Sequence, residues 1–220
     1  MADIRETVPR YGEQPLEQTI AVAAAMRRLA SLVVSLEHPH PAVDEMIDRF
    51  SAWDDELASA LPRNNSPRIG PTATDTACRV YLEHASDIWS FNPCFPEYSI
   101  EFISDEISHG TVNFPVIYEG PPGLVHGGFL AVFFDCVIQH QSCLTGKSGK
   151  TRNLNVRFRR PTPILTNLRF DITRSHAGPQ IDASARLTLD GEVLCIADVS
   201  TLSVPAEKLI TSQFGKRWSC

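Results

Sequence analysis

Residues 120–144 read GPPGLVHGGFLAVFFDCVIQHQSCL and give the clearest indication of the fold. A glycine-rich turn leads into an almost wholly apolar segment, residues 129–144, which is long enough for about four helical turns. A surface helix carries polar residues along one side, so apolarity all round predicts a helix buried in the core. The only formal charge in this segment is Asp135.

The residues after this helix change to a period of two. Apolar and polar residues alternate over 153–159, 168–172 and 181–189, and a more continuously apolar run covers 193–204. Turn signals separate these runs: Pro161-Thr162-Pro163, Gly178-Pro179 and Asp190-Gly191, the last being a strong hairpin signal. The pattern predicts four meandering strands.

Two further strands are expected before the helix. Ile100 and Phe102 alternate with Glu101 and Ile103, and a second alternation runs over residues 112–118, where Pro115 indicates an edge strand or a bulge. Strands, one buried helix and four more strands predict an α+β domain, in which a curved antiparallel sheet wraps around one central helix.

An N-terminal extension precedes this domain. Residues 16–36 and 43–61 have helical periodicity, with Ile20, Ala24, Leu29, Leu32, Val33 and Leu36 on one side of the first helix. A proline-rich break separates the two helices, and residues 62–71 read as a linker. We therefore assign residues 1–77 to a helical extension with its linker and residues 78–220 to the main domain. Residues 78–96 show no clear period apart from a possible short helix.

Composition limits the functions that this chain can have. A net charge of −6 disfavours nucleic-acid binding, although four arginines lie within residues 152–160. That cluster fits either the phosphates of a small ligand or a solvated strand face. No secretory signal and no membrane span are visible, and six cysteines without a CxxC pair fit reduced thiols in a cytoplasm. Histidine and carboxylate spacing predicts no metal.

Two features could carry chemistry. The amides at the helix start, around His126 and Gly127, suit an oxyanion, although a structural turn with a core histidine explains them equally well. Asp135 is expected to be drawn into apolar surroundings, and burying its charge is costly unless it is paired. A structural aspartate is the alternative, but nothing about helix stability recommends an aspartate there.

The spacing of these features predicts a dimer. From Gly127 to Asp135 is eight residues, or roughly 12 Å of helix rise. One reacting carbon cannot touch both groups, so a shared reaction requires two copies of the helix about a twofold axis.

A Cys136–His140 nucleophile is a weaker candidate than Asp135, because both residues lie in the buried helix and no third group is evident.

The runs GPPGLVHGGFLAVFFD, residues 120–135, and TRNLNVRFRRPTP, residues 151–163, resemble the hotdog thioesterases of the phenylacetate-pathway and thioesterase-superfamily-member type. The resemblance covers about residues 92–205 and leaves the N-terminal helices outside. The histidine followed by two glycines, with an aspartate nine residues after the histidine, is its most specific part.

The resemblance implies a role for each of several residues. The amide of Gly127 would polarise a thioester carbonyl, His126 would hold the turn, Asp135 of the partner subunit would act as base or nucleophile, and Thr151 would orient water and carboxylate. Some relatives place an asparagine or glutamine about six residues before the histidine, where this chain has Gly120. The remaining residues expected to bind substrate are Gly123, Gly128, Lys150, Arg157, Arg159 and Arg160.

The expected activity is hydrolysis of an acyl-CoA or acyl-carrier thioester by a cytoplasmic homodimer or dimer of dimers, without a cofactor. A non-catalytic acyl-CoA sensor or scaffold of the same fold is the alternative. A hydratase is disfavoured because the Asp and His pair that it needs, about five residues apart, is not visible.

Overall fold

A computed structural model of the chain describes residues 17–60, 88–147 and 149–204. Helices α1 (Glu17–Val33) and α2 (Pro41–Ala60) come first, and the long helix α3 (Gly127–Leu144) lies between the second and third strands. The strands are β1 (Tyr98–Ile103), β2 (Ile107–Val112), β3 (Gly149–Phe158), β4 (Leu168–Ala177), β5 (Gln180–Leu189) and β6 (Glu192–Ser203), and short 3-10 helices occupy Ile88–Ser90 and Val116–Tyr118.

The six strands form one antiparallel sheet in the order β1-β2-β4-β5-β6-β3. This confirms the predicted α+β architecture, with one correction. The prediction of four meandering strands holds for β4, β5 and β6, but β3 pairs with β6 rather than with β4. Residues 159–167 are long enough to carry the chain from one edge of the sheet back to β4, so neighbours in sequence need not pair.

Helix α3 supplies the centre of the core. Phe133 and Phe134 are fully buried, and Phe133 makes edge-to-face contacts with Tyr98, Phe114 and Phe170 at centroid distances of 5.5–6.0 Å. Such geometries stabilise aromatic cores beyond the area that they bury. Phe133 and Phe134 therefore serve as core residues.

The second strand lies earlier than the sequence predicts. Strand β2 ends at Val112, and the alternating residues after it form a loop and a 3-10 helix around Pro115. The inward residues of β2 include Ser108 and Gly110, which give no hydrophobic period. A Cβ at Gly110 would lie 1.9 Å from the Ser99 carbonyl oxygen, so the close approach of β1 requires glycine at this position. Because glycine replaces an apolar residue there, the alternation that would identify β2 in the sequence is lost.

A bulge also changes the phase of β1. The register with β2 shifts between Ile100 and Phe102, so Ile100 and Phe102 do not share a face as strict alternation predicts. Phe102 is exposed and stacks on His109 of β2 at a centroid distance of 5.5 Å.

Both N-terminal helices form close to the predicted bounds, but the residues that they bury are not those of the predicted apolar faces. Helix α1 buries Ala23 and Arg27, whereas Ile20 and Leu32 remain exposed. Arg27 donates to the Trp89 carbonyl oxygen over 2.6 Å and its guanidinium lies 5.8 Å from the Trp89 ring centroid. One buried arginine therefore anchors α1 to the sheet domain. Helix α2 has no buried residue.

The C-terminal end of α3 is fastened by a buried arginine of β4. Arg174 has a fully buried side chain and donates to Ser142 Oγ over 3.1 Å and to Thr145 Oγ1 over 2.5 Å. It also pairs with Asp105 over 2.7 Å, and Lys147 makes a second ion pair with that carboxylate. The last turn of α3, the β1–β2 turn and β4 are thus held by one charged cluster.

Some predictions lie outside the described residues. They include the linker at 62–71, the domain boundary near residue 77 and the beginning of the unassigned segment at 78–96. Within the described ranges, none of the helices combines the length and apolarity that crossing a bilayer requires.

Candidate active site

The turn before α3 is held by its own backbone and by His126. The amide of Gly120 donates to the Leu124 carbonyl oxygen over 2.8 Å, and the amide of His126 donates to the Tyr118 carbonyl oxygen over 2.9 Å. Gly123 adopts a φ of 77°. A Cβ on Gly120 would lie 2.8 Å from Cα of His126. Position 120 therefore requires glycine here, which explains why the asparagine or glutamine of some relatives is absent.

His126 caps the helix and thereby frees one amide. Its Nδ1 accepts a hydrogen bond of 3.0 Å from the amide of Gly128, and its carbonyl oxygen accepts from the amides of Phe129 and Leu130. Among the described residues, nothing accepts from the amide of Gly127. An amide without a partner at a helix N-terminus is a donor that suits a developing negative charge.

A groove of about 390 Å³ runs beside Gly127. Leu124, Leu130 and Phe158 make much of its wall, and Arg159 and Arg160 lie on it as well. The ring of Phe158 sits so close that a Cβ on Gly127 would meet it at 2.9 Å. The predicted glycine and two of the predicted arginines are thus brought together around one largely apolar groove.

The other residues expected to bind substrate are placed differently. The amides of Gly123 and Gly128 are already engaged, donating to Glu119 Oε1 over 2.6 Å and to His126 Nδ1. Arg157 forms an ion pair of 2.7 Å with Asp198, and neither Arg157 nor Lys150 lines the groove beside Gly127.

Asp135 and Thr151 meet, as the resemblance implies. Thr151 Oγ1 donates to Asp135 Oδ1 over 2.7 Å, and Asp135 is half-buried. A bulge in β3 between Thr151 and Asn153 makes this contact possible, because the additional residue lets Thr151 and the half-buried Leu154 face the helix together. Within the described ranges, no other side chain bonds to the Asp135 carboxylate.

Sequence reasoning missed Gln139. Its Nε2 donates to Thr151 Oγ1 over 2.7 Å and lies 3.4 Å from Thr201 Oγ1. The available signal was its spacing, since residues four apart on a helix lie on the same face and Gln139 is four residues after Asp135.

The Cys136–His140 alternative does not fit this arrangement. Burial, reinforced by the Asp135 charge, raises the pKa of the Cys136 thiol to about 12. Nδ1 of the buried His140 lies 3.0 Å from the Tyr98 hydroxyl. A thiol with such a pKa supplies little thiolate near neutral pH, so the pair is not an activated nucleophile.

The described residues contain no group of three or more His, Cys, Asp or Glu side chains arranged to hold a metal ion. What they do offer is a hydrogen-bond donor at one end of α3 and a hydrogen-bonded carboxylate in its middle. These two groups are eight residues apart on one helix, or roughly 12 Å along its axis.

A six-stranded antiparallel sheet around one long helix, with a free amide at the start of that helix, defines a protein of the hotdog fold. The comparison with solved structures agrees. A crystal structure of a thioesterase superfamily protein, 24% identical, matches with a TM-score of 0.66 over 86% of this chain and 97% of the other, which confirms the fold. Since residues 88–204 are only about half of this chain, the match extends beyond the sheet domain.

Two other structures match the chain over a smaller part. A phenylacetic acid degradation-related protein from Ralstonia eutropha JMP134 is 22% identical over 48% of this chain and 83% of its own, with a TM-score of 0.44. A hypothetical thioesterase protein from Streptococcus pneumoniae TIGR4, solved with coenzyme A, is 19% identical over 50% of this chain and 90% of its own, with a TM-score of 0.47. No family model matches the sequence.

Proposed function

We propose that this chain is a thioester hydrolase that acts on acyl-CoA or a related acyl thioester at sites shared between two copies. Two observations on the same helix carry the proposal. The free amide of Gly127 lies beside an apolar groove, and the Asp135 carboxylate accepts a hydrogen bond from Thr151. The thioesterase superfamily protein that shares the fold supports it.

The proposed reaction needs only water and residues of the chain. Asp135 accepts a proton as water attacks the acyl carbon, and the amide of Gly127 donates to the carbonyl oxygen as it gains negative charge. When the tetrahedral intermediate collapses, the carbon–sulfur bond breaks and the sulfur leaves with the electron pair. The proton held by Asp135 then passes to the sulfur, which restores the carboxylate. The products are a free acid and a thiol, and no cofactor is required.

A second copy is part of the proposal because of the distance along α3. The carbonyl oxygen must lie about 3 Å from the donor and the carbonyl carbon about 3 Å from the attacking water, but roughly 12 Å of helix separates the two groups in one chain. Strand β3 offers a place for such a partner, since within the described part of the chain it pairs on one side only and leaves Phe158 59% exposed.

The groove beside Gly127 suits the arm and phosphates of a CoA thioester. Its apolar wall would cover the pantetheine chain, and Arg159 and Arg160 would face the phosphates. Arg160 already pairs with Glu192 over 3.3 Å, whereas Arg159 has no ion pair among the described residues, so Arg159 is the stronger candidate.

We also propose that the protein works in a reducing compartment such as the cytoplasm. Cys94, Cys136 and Cys195 form no disulfide within the described ranges. Disulfides form and persist mainly in oxidising compartments, so reduced thiols at these three residues support the proposal.

The test is free-thiol release from a panel of short, long and aromatic acyl-CoAs, with wild type and Asp135→Asn measured together. Asparagine keeps the shape but cannot accept a proton, so we expect kcat to fall at least about 100-fold. Asp198→Asn is the matched control, because it removes a half-buried carboxylate that pairs with Arg157 outside the site.

Turnover by wild type and by Asp198→Asn, lost in Asp135→Asn, would support the hydrolase. If Asp135→Asn remained fully active, the aspartate would have no part in the chemistry. Binding of acyl-CoA without thiol release would instead favour a sensor or scaffold of the same fold.

A further inference from the structure

Thr151 donates one hydrogen bond and accepts another, and the second one comes from Gln139. Thr151 Oγ1 has two neighbours at 2.7 Å, the Asp135 carboxylate on one side and the Gln139 side-chain amide on the other. A hydroxyl has a single proton, and an ionised carboxylate accepts hydrogen bonds without donating any. The proton of Thr151 must therefore point to Asp135, and Gln139 must present its NH₂ group.

The surroundings of Gln139 fix that orientation of the amide. Its second hydrogen faces Thr201 Oγ1, 3.4 Å away, on the strand paired with β3. Thr201 is almost fully buried, so the amide nitrogen lies between two threonine hydroxyls. With the amide reversed, Thr151 would meet two acceptors and its proton could leave Asp135.

We propose that Gln139 is a positioning residue, which holds the Thr151 hydroxyl in the one direction that donates to Asp135 Oδ1. It acts on the reaction only through Thr151. Since Oδ1 is then always occupied by a donor, the lone pairs of Oδ2 remain the ones that face the attacking water. This inference rests on the proposed thioester hydrolysis, but the hydrogen-bond arrangement itself can be tested without it.

The first test is a double-mutant cycle on thiol release. Gln139→Met keeps the volume and removes the donors, and we expect kcat to fall about tenfold with KM within about twofold, the size of one orienting hydrogen bond. Thr151→Val should lower kcat at least as much. The double variant should be no slower than Thr151→Val alone, because the effect of Gln139 passes through the hydroxyl.

Gln141→Met is the matched control on the same helix. Gln141 is buried, and its Nε2 donates to the Ser104 carbonyl oxygen over 3.0 Å, away from Asp135. We expect this control to lower thermal stability without lowering kcat. Equal losses of kcat in the two variants, or losses by Gln139→Met and Thr151→Val that multiply in the double variant, would overturn the inference.

The second test is a crystal structure of Gln139→Met, which needs no activity. We expect the Thr151 hydroxyl to rotate or to bind water, so that its contact with Asp135 lengthens or is lost. An unchanged contact would overturn the positioning role even if the wild type hydrolyses thioesters. If the wild type releases no thiol from any substrate, the proposed function fails, and this structure still decides what Gln139 does.

Discussion

The two ends of helix α3 differ in how far their polar groups are satisfied. At the C-terminal end, buried Arg174 bonds to Ser142 and Thr145 and pairs with Asp105. At the N-terminal end, His126 caps one amide and leaves that of Gly127 without a partner among the described residues. The C-terminal end is held in place by the bonds of a buried arginine, and the N-terminal end has a spare donor that is available for a ligand. We therefore expect substitutions at the two ends to affect different measurements.

The largest effect, a loss of kcat, is expected from substitution at the N-terminal end of α3. Gly127→Pro removes the free amide hydrogen, and the backbone should tolerate it, because proline is accepted at the first helical position and His126 has an extended conformation (φ −65°, ψ 132°). Gly127→Ala is the control, since it keeps the amide but also adds an atom against Phe158.

We expect Gly127→Pro to lose about 10²- to 10³-fold in kcat relative to Gly127→Ala, as when one oxyanion donor is removed. Thiol release at saturating substrate measures this loss, and circular dichroism checks the fold. Equal activity of the two variants would show that the amide has no catalytic part.

Substitution at the C-terminal end of α3 should give the second largest effect, which is a loss of stability. Arg174→Met leaves the Ser142 and Thr145 hydroxyls without their donor and removes the buried partner of an ion pair whose carboxylate is 48% exposed. We expect the free energy of unfolding in urea to fall by about 3 kcal/mol, with kcat per folded molecule within about twofold of wild type.

Arg186→Met is the matched control for this loss of charge. Arg186 pairs with Asp171 over 2.9 Å, but its side chain is 54% exposed, and such surface pairs contribute less than about 1 kcal/mol. If the two variants were equally stable, the burial of Arg174 would have no special importance.

The smallest effect is a pH dependence of the same cluster. Burial acts to raise the pKa of Asp105, but the hydrogen bond from Lys147 and the charges of Arg174, Lys147 and His176 outweigh it and hold the pKa below its usual value. A carboxyl group with a lowered folded-state pKa stabilises the fold above its unfolded pKa, about 4, and loses this contribution as the pH falls through the folded value.

Unfolding free energies of wild type and Asp105→Asn, measured from pH 3 to pH 7, check this dependence. We expect wild type to be the more stable protein near neutral pH, and the difference to shrink below about pH 4. A difference that stays constant with pH would mean that the ionisation of Asp105 does not contribute.

The sequence predicts the fold where large apolar residues mark the inward face. This was so for α3 and for β4, whose Leu168, Phe170 and Ile172 are fully buried. It failed for β2, because close strand contact requires Gly110 and leaves no apolar period. The position of β3 beside β6 was also missed, since periodicity identifies strands but does not say which ones pair.

Some residues of the candidate site could likewise be predicted from the sequence, and others could not. Gly127 and Asp135 could be selected from motif and spacing and Thr151 from the family resemblance, and the structure brings Asp135 and Thr151 into contact. Gln139 was not selected, because a neutral amide in an apolar helix gives little signal until its neighbours are known. The Arg174–Asp105 pair joins residues 69 apart in sequence, a distance over which no local pattern acts.

The claim that each site uses Gly127 of one copy and Asp135 of another has a direct test. Gly127→Pro and Asp135→Asn chains, each inactive alone, are coexpressed with different affinity tags, and the mixed dimer is isolated. We expect it to regain about half of wild-type thiol release, because one of its two sites combines the intact Gly127 with the intact Asp135. A mixed dimer as inactive as both parents would contradict a shared site.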